Sequence, residues 1–374
     1  MRHTIGQSDL TPREAYSYDD AGPDEALANF NLTEAGDRMT VWLQRMFKLN
    51  PHVKLFGSPW SPPQWMKQNN QLQTQYIGAW VNYLVRYLLT FRESGISVHA
   101  LTLQNEPLHG DSWEAWLNYL YPWTMHMDKT YAGFLTLKRG RTLEQKGLST
   151  KIWAYDHNTD TPDYPQHVLS NAGQYVGGVA WHCYAENNDW SVLSRFHEAH
   201  PQVKQYMTEC WTHLATSSFF DLTHFVMGPL MNRASGALAW TLGGSTRYDV
   251  AFMGSKKARP LLPNSACEGC SGLVQVDMVA RAYHLTADFY TMGQFSKFVR
   301  PGAVFLRSSQ EFKTDYVSEE VLVLAFKNPD GTLVIVARNG NMAEDMPLQV
   351  ALNSGGSWTG TLPKGSVTTW VLPQ

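Results

Sequence analysis

Cysteine is scarce in this sequence, with four in 374 residues, and charge is scarce too, at 17%. Four cysteines do not make a disulfide framework, so a small cross-linked scaffold without a real core is excluded. A net charge of −3 gives no electrostatic footprint for nucleic acid or an anionic membrane surface. No apolar run approaches ~18 residues, so no segment reads as a membrane-spanning helix. No signal-peptide pattern opens the chain. Internal repeats, low-complexity linkers and a phosphate-cradling Gly-rich loop after a strand are all missing. "HEAHP" at 197–201 spaces its histidines by three, whereas the zinc-protease helix needs four.

The sequence is rich in apolar and aromatic residues: 43% are hydrophobic, 13% aromatic, and fourteen are tryptophan. That composition supports a sizeable core, and its excess of flat rings suits a cleft that stacks on sugars. Cys267 and Cys270 form C-x-x-C in "PNSACEGCSG". With no second pair nearby the motif lacks the four ligands of a zinc site, so it reads as a local disulfide or free thiols and no metal is expected. Asn31-Leu32-Thr33 is a glycosylation acceptor by pattern.

The middle of the chain alternates short β-like runs with longer helical stretches, the signature of βα units around a parallel sheet. The runs are "RHTIGQ" (2–7), "HVKLFGS" (52–58), "SVHALTLQ" (97–104), "TKIWAYD" (150–156), "GGVAWHCY" (177–184), "VKQYMTE" (203–209) and "GALAWTL" (236–242). Residues 76–95 and 219–235 carry helical apolar spacing, the first closed by Gly95. From about residue 295 short alternating strands take over, with "NPDG" at 328–331 as a hairpin turn. The expected organisation is a (β/α)8 TIM barrel over 1–294 and an antiparallel β-sandwich over 295–374. Seven βα units fall one short of a closed barrel, so the first barrel strand is expected to lie upstream.

Catalytic residues of such barrels sit at the C-terminal ends of strands. Glu106 follows "HALTLQN" and Glu209 follows "VKQYMT", so both belong at one mouth. Paired carboxylates there suit glycoside hydrolysis: one protonates the leaving oxygen while the other attacks the sugar carbon, about 5–5.5 Å away in retaining enzymes. That role needs Glu106 protonated near working pH, hence a raised carboxyl pKa.

"LTLQNEP", "FGSPWSPPQWMK", "GGVAWHCY" and "YMTECW", in this order, resemble glycoside hydrolase family 30, and "IGQSDLTPREAYSYDD" is similar to that family's second-strand loop. The resemblance spans almost the whole chain. It implies a retaining β-glycosidase without cofactor, with Glu106 as general acid/base and Glu209 as nucleophile. It also implies that Asn105 bonds the sugar 2-hydroxyl, Asp9 accepts from ring hydroxyls, and Trp60 and Trp240 line the sugar site. His182 and Tyr184 stand at alternate positions of one strand and share a face, from which they would orient the nucleophile. Arg2 matches a strand-two arginine. Thr241 departs from the family's Trp-Asn-Leu pattern, and the loop over 243–272 is distinctive, which bears on substrate. The implied substrate is a glucosylceramide-type β-glucoside. The alternatives are a β-1,6-glucan or galactan, or an inactive carbohydrate-binding homologue. The implied partner is a β-glycoside and the implied location extracellular. Oligomeric state is not readable from the sequence.

Overall fold

The computed structural model of the protein describes residues 1–8, 16–109, 125–186, 188–210, 219–245, 272–277, 280–306, 321–353 and 355–372. They divide into two compact units. The first contains the described residues of Met1–Ala185 and His200–Thr208; the second contains those of Glu186–Ala199, Glu209–Val250 and Cys267–Gln374.

The first unit is built on a parallel sheet. Its strands are β1 (Arg2–Ile5), β2 (Leu55–Pro59), β3 (Val98–Thr102), β4 (Lys151–Asn158), β5 (Val176–His182) and β6 (Gln205–Glu209), with only Glu209 of β6 assigned to the second unit. They lie side by side in chain order. The registers of β1 to β5 are all parallel. Parallel neighbours need long crossovers, which α1 (Thr33–Leu49), α2 (Ile77–Glu93), α3 (Lys129–Gln145) and α4 (Asp163–Ala172) help to supply. All five residues of β2 are buried, as expected of a strand covered on both faces. This chain-ordered parallel wall is the arrangement of a βα barrel.

α2 forms because its apolar residues recur at helical spacing. Trp80, Leu84, Tyr87 and Phe91 make one buried stripe, with Ile77, Val81 and Leu88 beside it. It stops at Gly95, whose φ of 74° lies in the left-handed region. There Gly95 N–H donates to the Arg92 carbonyl (2.9 Å) and Ile96 N–H to that of Phe91 (2.8 Å), a Schellman closure. From α3, the fully buried Arg139 donates to the Thr102 carbonyl at 3.0 Å, tying that helix to the end of β3.

In the second unit, the helix Phe219–Met231 precedes the strand Ala234–Ala237. That strand stops short of the expected 236–242. Beyond it the Trp240 N–H donates to the Cys210 carbonyl at 2.6 Å, and the Thr241 and Leu242 carbonyls accept from the Leu273 and Val274 N–H groups at 3.0 Å each. Val304–Leu306, Val321–Lys327, Leu333–Asn339 and Ser366–Leu372 form an antiparallel sheet, and Met346–Ala351 pairs with Ser357–Leu362. In Val321–Lys327 the buried residues are alternate ones, Leu322, Leu324 and Phe326, the period-two pattern visible in the sequence. The "NPDG" turn closes the hairpin as expected, with Gly331 at φ 87° and its N–H donating to the Asn328 carbonyl at 2.9 Å.

Cysteine is used more fully than its scarcity suggested: Cys183 and Cys210 are both disulfide-bonded. Cys267 and Cys270 lie outside the described residues. Among the described residues, no helix is long and apolar enough to cross a membrane.

Candidate active site

The site begins where β3 gives out. Asn105 N–H donates to the Pro59 carbonyl at 2.8 Å, and the Gln104 side-chain amide donates to the Trp60 carbonyl at 2.6 Å. Glu106 then turns into the left-handed region, φ 46°, where residues with side chains are uncommon. Pro107 already disfavours the right-handed helical region for the residue before it. The turn is held from both sides: Glu106 N–H donates to the Asp156 carbonyl and His109 N–H to the Glu106 carbonyl, each at 3.0 Å. The Glu106 backbone is thereby anchored, and its side chain keeps 16% exposure.

Asp156 is the hub, and β4 is broken to make it one. Tyr155 and Asp156 have φ of 80° and 67°, and the register against β5 slips between Tyr155 and His157. A bulge of this kind re-aims a side chain. Here it gives both the Asp156 carbonyl and its carboxylate to the site. One carboxylate oxygen accepts from Arg2 Nη2 (3.0 Å) and Ser58 Oγ (2.6 Å). The other accepts from His182 Nε2 (2.9 Å) and Thr208 Oγ1 (2.8 Å). Thr102 Oγ1 donates in turn to Ser58 Oγ at 2.8 Å.

Two arms leave this hub. Through Arg2 it reaches Asn105, whose Oδ1 accepts from Arg2 Nη2 at 2.5 Å. The same guanidinium lies 4.8 Å over the Trp60 ring, a cation–π contact. Through the fully buried His182 it reaches Glu106, with His182 Nδ1 3.1 Å from Glu106 Oε1.

Burial by itself would raise both carboxyls. At Asp156 the Arg2 guanidinium and His182 outweigh it and hold the group well below the usual carboxylate range. At Glu106 burial is likewise outweighed, by the hydrogen bond to His182 and the charges of His182, His157 and His109, leaving it at about 2. This corrects the expectation of a raised value: the histidine neighbours were not foreseen from the sequence. His157 is pushed down by burial to about 4.

The structure thus brings Asn105, Glu106, Trp60 and His182 into one network. Tyr184 adjoins it, its N–H donating to Asn158 Oδ1 at 3.0 Å and its ring set edge-on to His182 at 5.8 Å. Glu209 and Trp240 belong to the second unit, where Glu209 is buried at the end of β6. In the chain Glu209 directly follows Thr208, whose hydroxyl bonds Asp156. Asp9 lies outside the described residues. Asp156, Ser58 and Thr208 were missed. Asp156 carried a signal, since it ends "TKIWAYD" just as Glu106 follows the end of "SVHALTLQ".

Chain-ordered parallel strands with a carboxylate, amide and arginine network at their ends define an enzyme of the βα-barrel class. The chain belongs to glycoside hydrolase family 30: residues 1–299 match its TIM-barrel domain and residues 302–370 its β-sandwich domain. An endo-1,6-β-D-glucanase of Neurospora crassa is 43% identical over 386 residues, covering 100% of this chain and 77% of that protein. One from Trichoderma harzianum is 42% identical over 393 residues, covering 100% and 76%. The lysosomal acid glucosylceramidase of Mus musculus is 24% identical over 380 residues, covering 94% and 69%. Among solved structures, an endo-β1,6-glucanase superimposes with a TM-score of 0.81 at 24% identity, covering 98% of this chain and 81% of that one. At that identity the likeness carries the fold alone.

Proposed function

We propose that this family 30 glycoside hydrolase is an endo-β-1,6-glucanase acting by retaining double displacement. The observation that carries this reading is the 42–43% identity, over the full chain, to fungal endo-1,6-β-D-glucanases. The glucosylceramidase-like relatives stand at 24–28%. The glucosylceramide reading therefore gives way to β-1,6-glucan.

In this mechanism Glu209 attacks the anomeric carbon as Glu106 gives its proton to the glycosidic oxygen. Glu106 then takes a proton from the water that hydrolyses the glycosyl-enzyme. Asn105 serves the sugar 2-hydroxyl. Arg2 occupies its amide oxygen, which leaves the amide N–H groups as donors to substrate. His182 orients Glu106 and shares a proton with it. Trp60, Tyr184, Trp240 and Asp9 complete the sugar site as the family resemblance assigns.

The test is hydrolysis of β-1,6-glucan against glucosylceramide, with the first product anomer read by NMR. The expected result is a mixture of oligosaccharides released as β-anomers. Glu106→Gln should cost about 10²–10⁴-fold, and Glu209→Gln should remove activity. Faster turnover of glucosylceramide would overturn the substrate assignment; an α-anomer product or an active Glu209→Gln would overturn the mechanism.

A further inference from the structure

One ligand atom from each of Glu106, His157 and His182 lies within 4.8 Å of the others. The mechanism above uses Glu106 and His182 but gives His157 nothing to do. We propose that these three side chains form a binding site for a divalent transition-metal ion of the Zn2+ or Cu2+ kind, and that an ion bound there switches the enzyme off by occupying the Glu106 carboxylate.

The donor set suits such an ion, since imidazole nitrogen and carboxylate oxygen are the ordinary ligands of zinc and copper. Spacing agrees. Two ligands each ~2.1 Å from a tetrahedral ion stand about 3.4 Å apart, and His182 Nδ1 and Glu106 Oε1 are already 3.1 Å apart. From the outer limit of 4.8 Å, His157 has to close by about 1.4 Å to reach that spacing.

The surroundings resemble those of a metal ligand. His182 directs its other nitrogen to Asp156 at 2.9 Å, the carboxylate–histidine pairing that fixes the ring of a metal-binding histidine. Nδ1 of His157 is buried and has no hydrogen-bonding partner among the described residues. The 16% exposure of the Glu106 side chain gives an ion a way in and leaves water as its fourth ligand. The proton between His182 Nδ1 and Glu106 Oε1 leaves to solvent as the ion takes both lone pairs.

The inhibitory half of this proposal rests on the acid/base role of Glu106; the binding half does not. Calorimetric titration of the full chain with Zn2+ or Cu2+, after chelator treatment, should show one ion per chain whose affinity falls at least tenfold in both His157→Ala and His157→Gln. The metal concentration that halves each variant's own metal-free rate of β-1,6-glucan hydrolysis should rise by the same factor, with activity restored by EDTA. Unchanged affinity in both variants, each with a wild-type melting temperature, would overturn the site. Binding that depends on His157 in a chain without β-1,6-glucanase activity would uphold the site and sink the functional reading instead.

Discussion

Replacing Asp156 with Asn changes one oxygen for an NH2 group in a fully buried position where four donors converge. The amide oxygen can serve two of those donors; the NH2 group then faces the other two. Each buried donor left without an acceptor costs about 1–3 kcal/mol, and Arg2 loses its counter-charge. Breaking a buried pair in this way costs on the order of 3–5 kcal/mol, which for a chain of this size lowers the melting temperature by roughly 10 °C. His182 also loses the acceptor that fixes its ring against Glu106, and a misplaced catalytic group costs about 100-fold in rate. The pH dependence has a definite sign. The Asp156 carboxyl is depressed in the folded state, so its stabilisation is complete above its unfolded value near ~3.9 and is lost as pH falls below that. Wild type and variant should therefore differ most near neutrality and converge in acid. Thermal melts across that range, with reducing-sugar release from β-1,6-glucan, provide the assay. A variant melting within about 1 °C of wild type, or a gap that widens toward acid, would refute the hub.

Arg2→Lys should retain the charge but lose the planar group that bonds Ser58, Asn105 and Asp156 while covering Trp60. We expect roughly a tenfold fall in kcat/KM, from a loosened Asn105 amide, with at most a small change in melting temperature; steady-state kinetics on β-1,6-glucan check it. Gly95→Ala meets no atom within 4 Å, so only the left-handed backbone resists it. The cost should be about 1 kcal/mol in denaturant unfolding with activity unchanged.

Where a segment's environment is set by its own period, the sequence was enough to read it. The helix expected over 76–95 appears at Ile77–Glu93 because its apolar stripe and Gly95 are local features. Helix α1 was not read. Its buried positions are only Gly36, Thr40 and Leu43, and Trp42 and Val41 face solvent, so hydrophobicity marks the wrong side. "GALAWTL" misled for another reason: an apolar composition does not say which partner each backbone group takes, and after the strand Ala234–Ala237 the chain bonds instead to Cys210, Leu273 and Val274. The parallel strands themselves were recognisable as short β-like runs set between longer helical stretches, although only Leu55–Pro59 is buried at every position.

The candidate site divides along the same line. Asn105, Glu106 and His182 were identifiable because each stands at or just beyond the end of an apolar run, but their relations were not. The bulge at Tyr155 and Asp156 is a backbone event, and the sequence "WAYDHN" carries no glycine to announce it. Without that bulge nothing indicates that the group beside Glu106 is a histidine backed by a second carboxylate. The consequence is chemical. A strand-end glutamate beside another carboxylate would keep its proton by repulsion, as the sequence suggested. Here the neighbour is a histidine, and its hydrogen bond and charge, with those of the other histidines nearby, outweigh burial and hold the Glu106 carboxyl down. In the mechanism proposed above, Glu106 takes on its proton only against that pull, across the 3.1 Å contact with His182. The apparent pKa values of catalysis accordingly belong to the pair rather than to either residue.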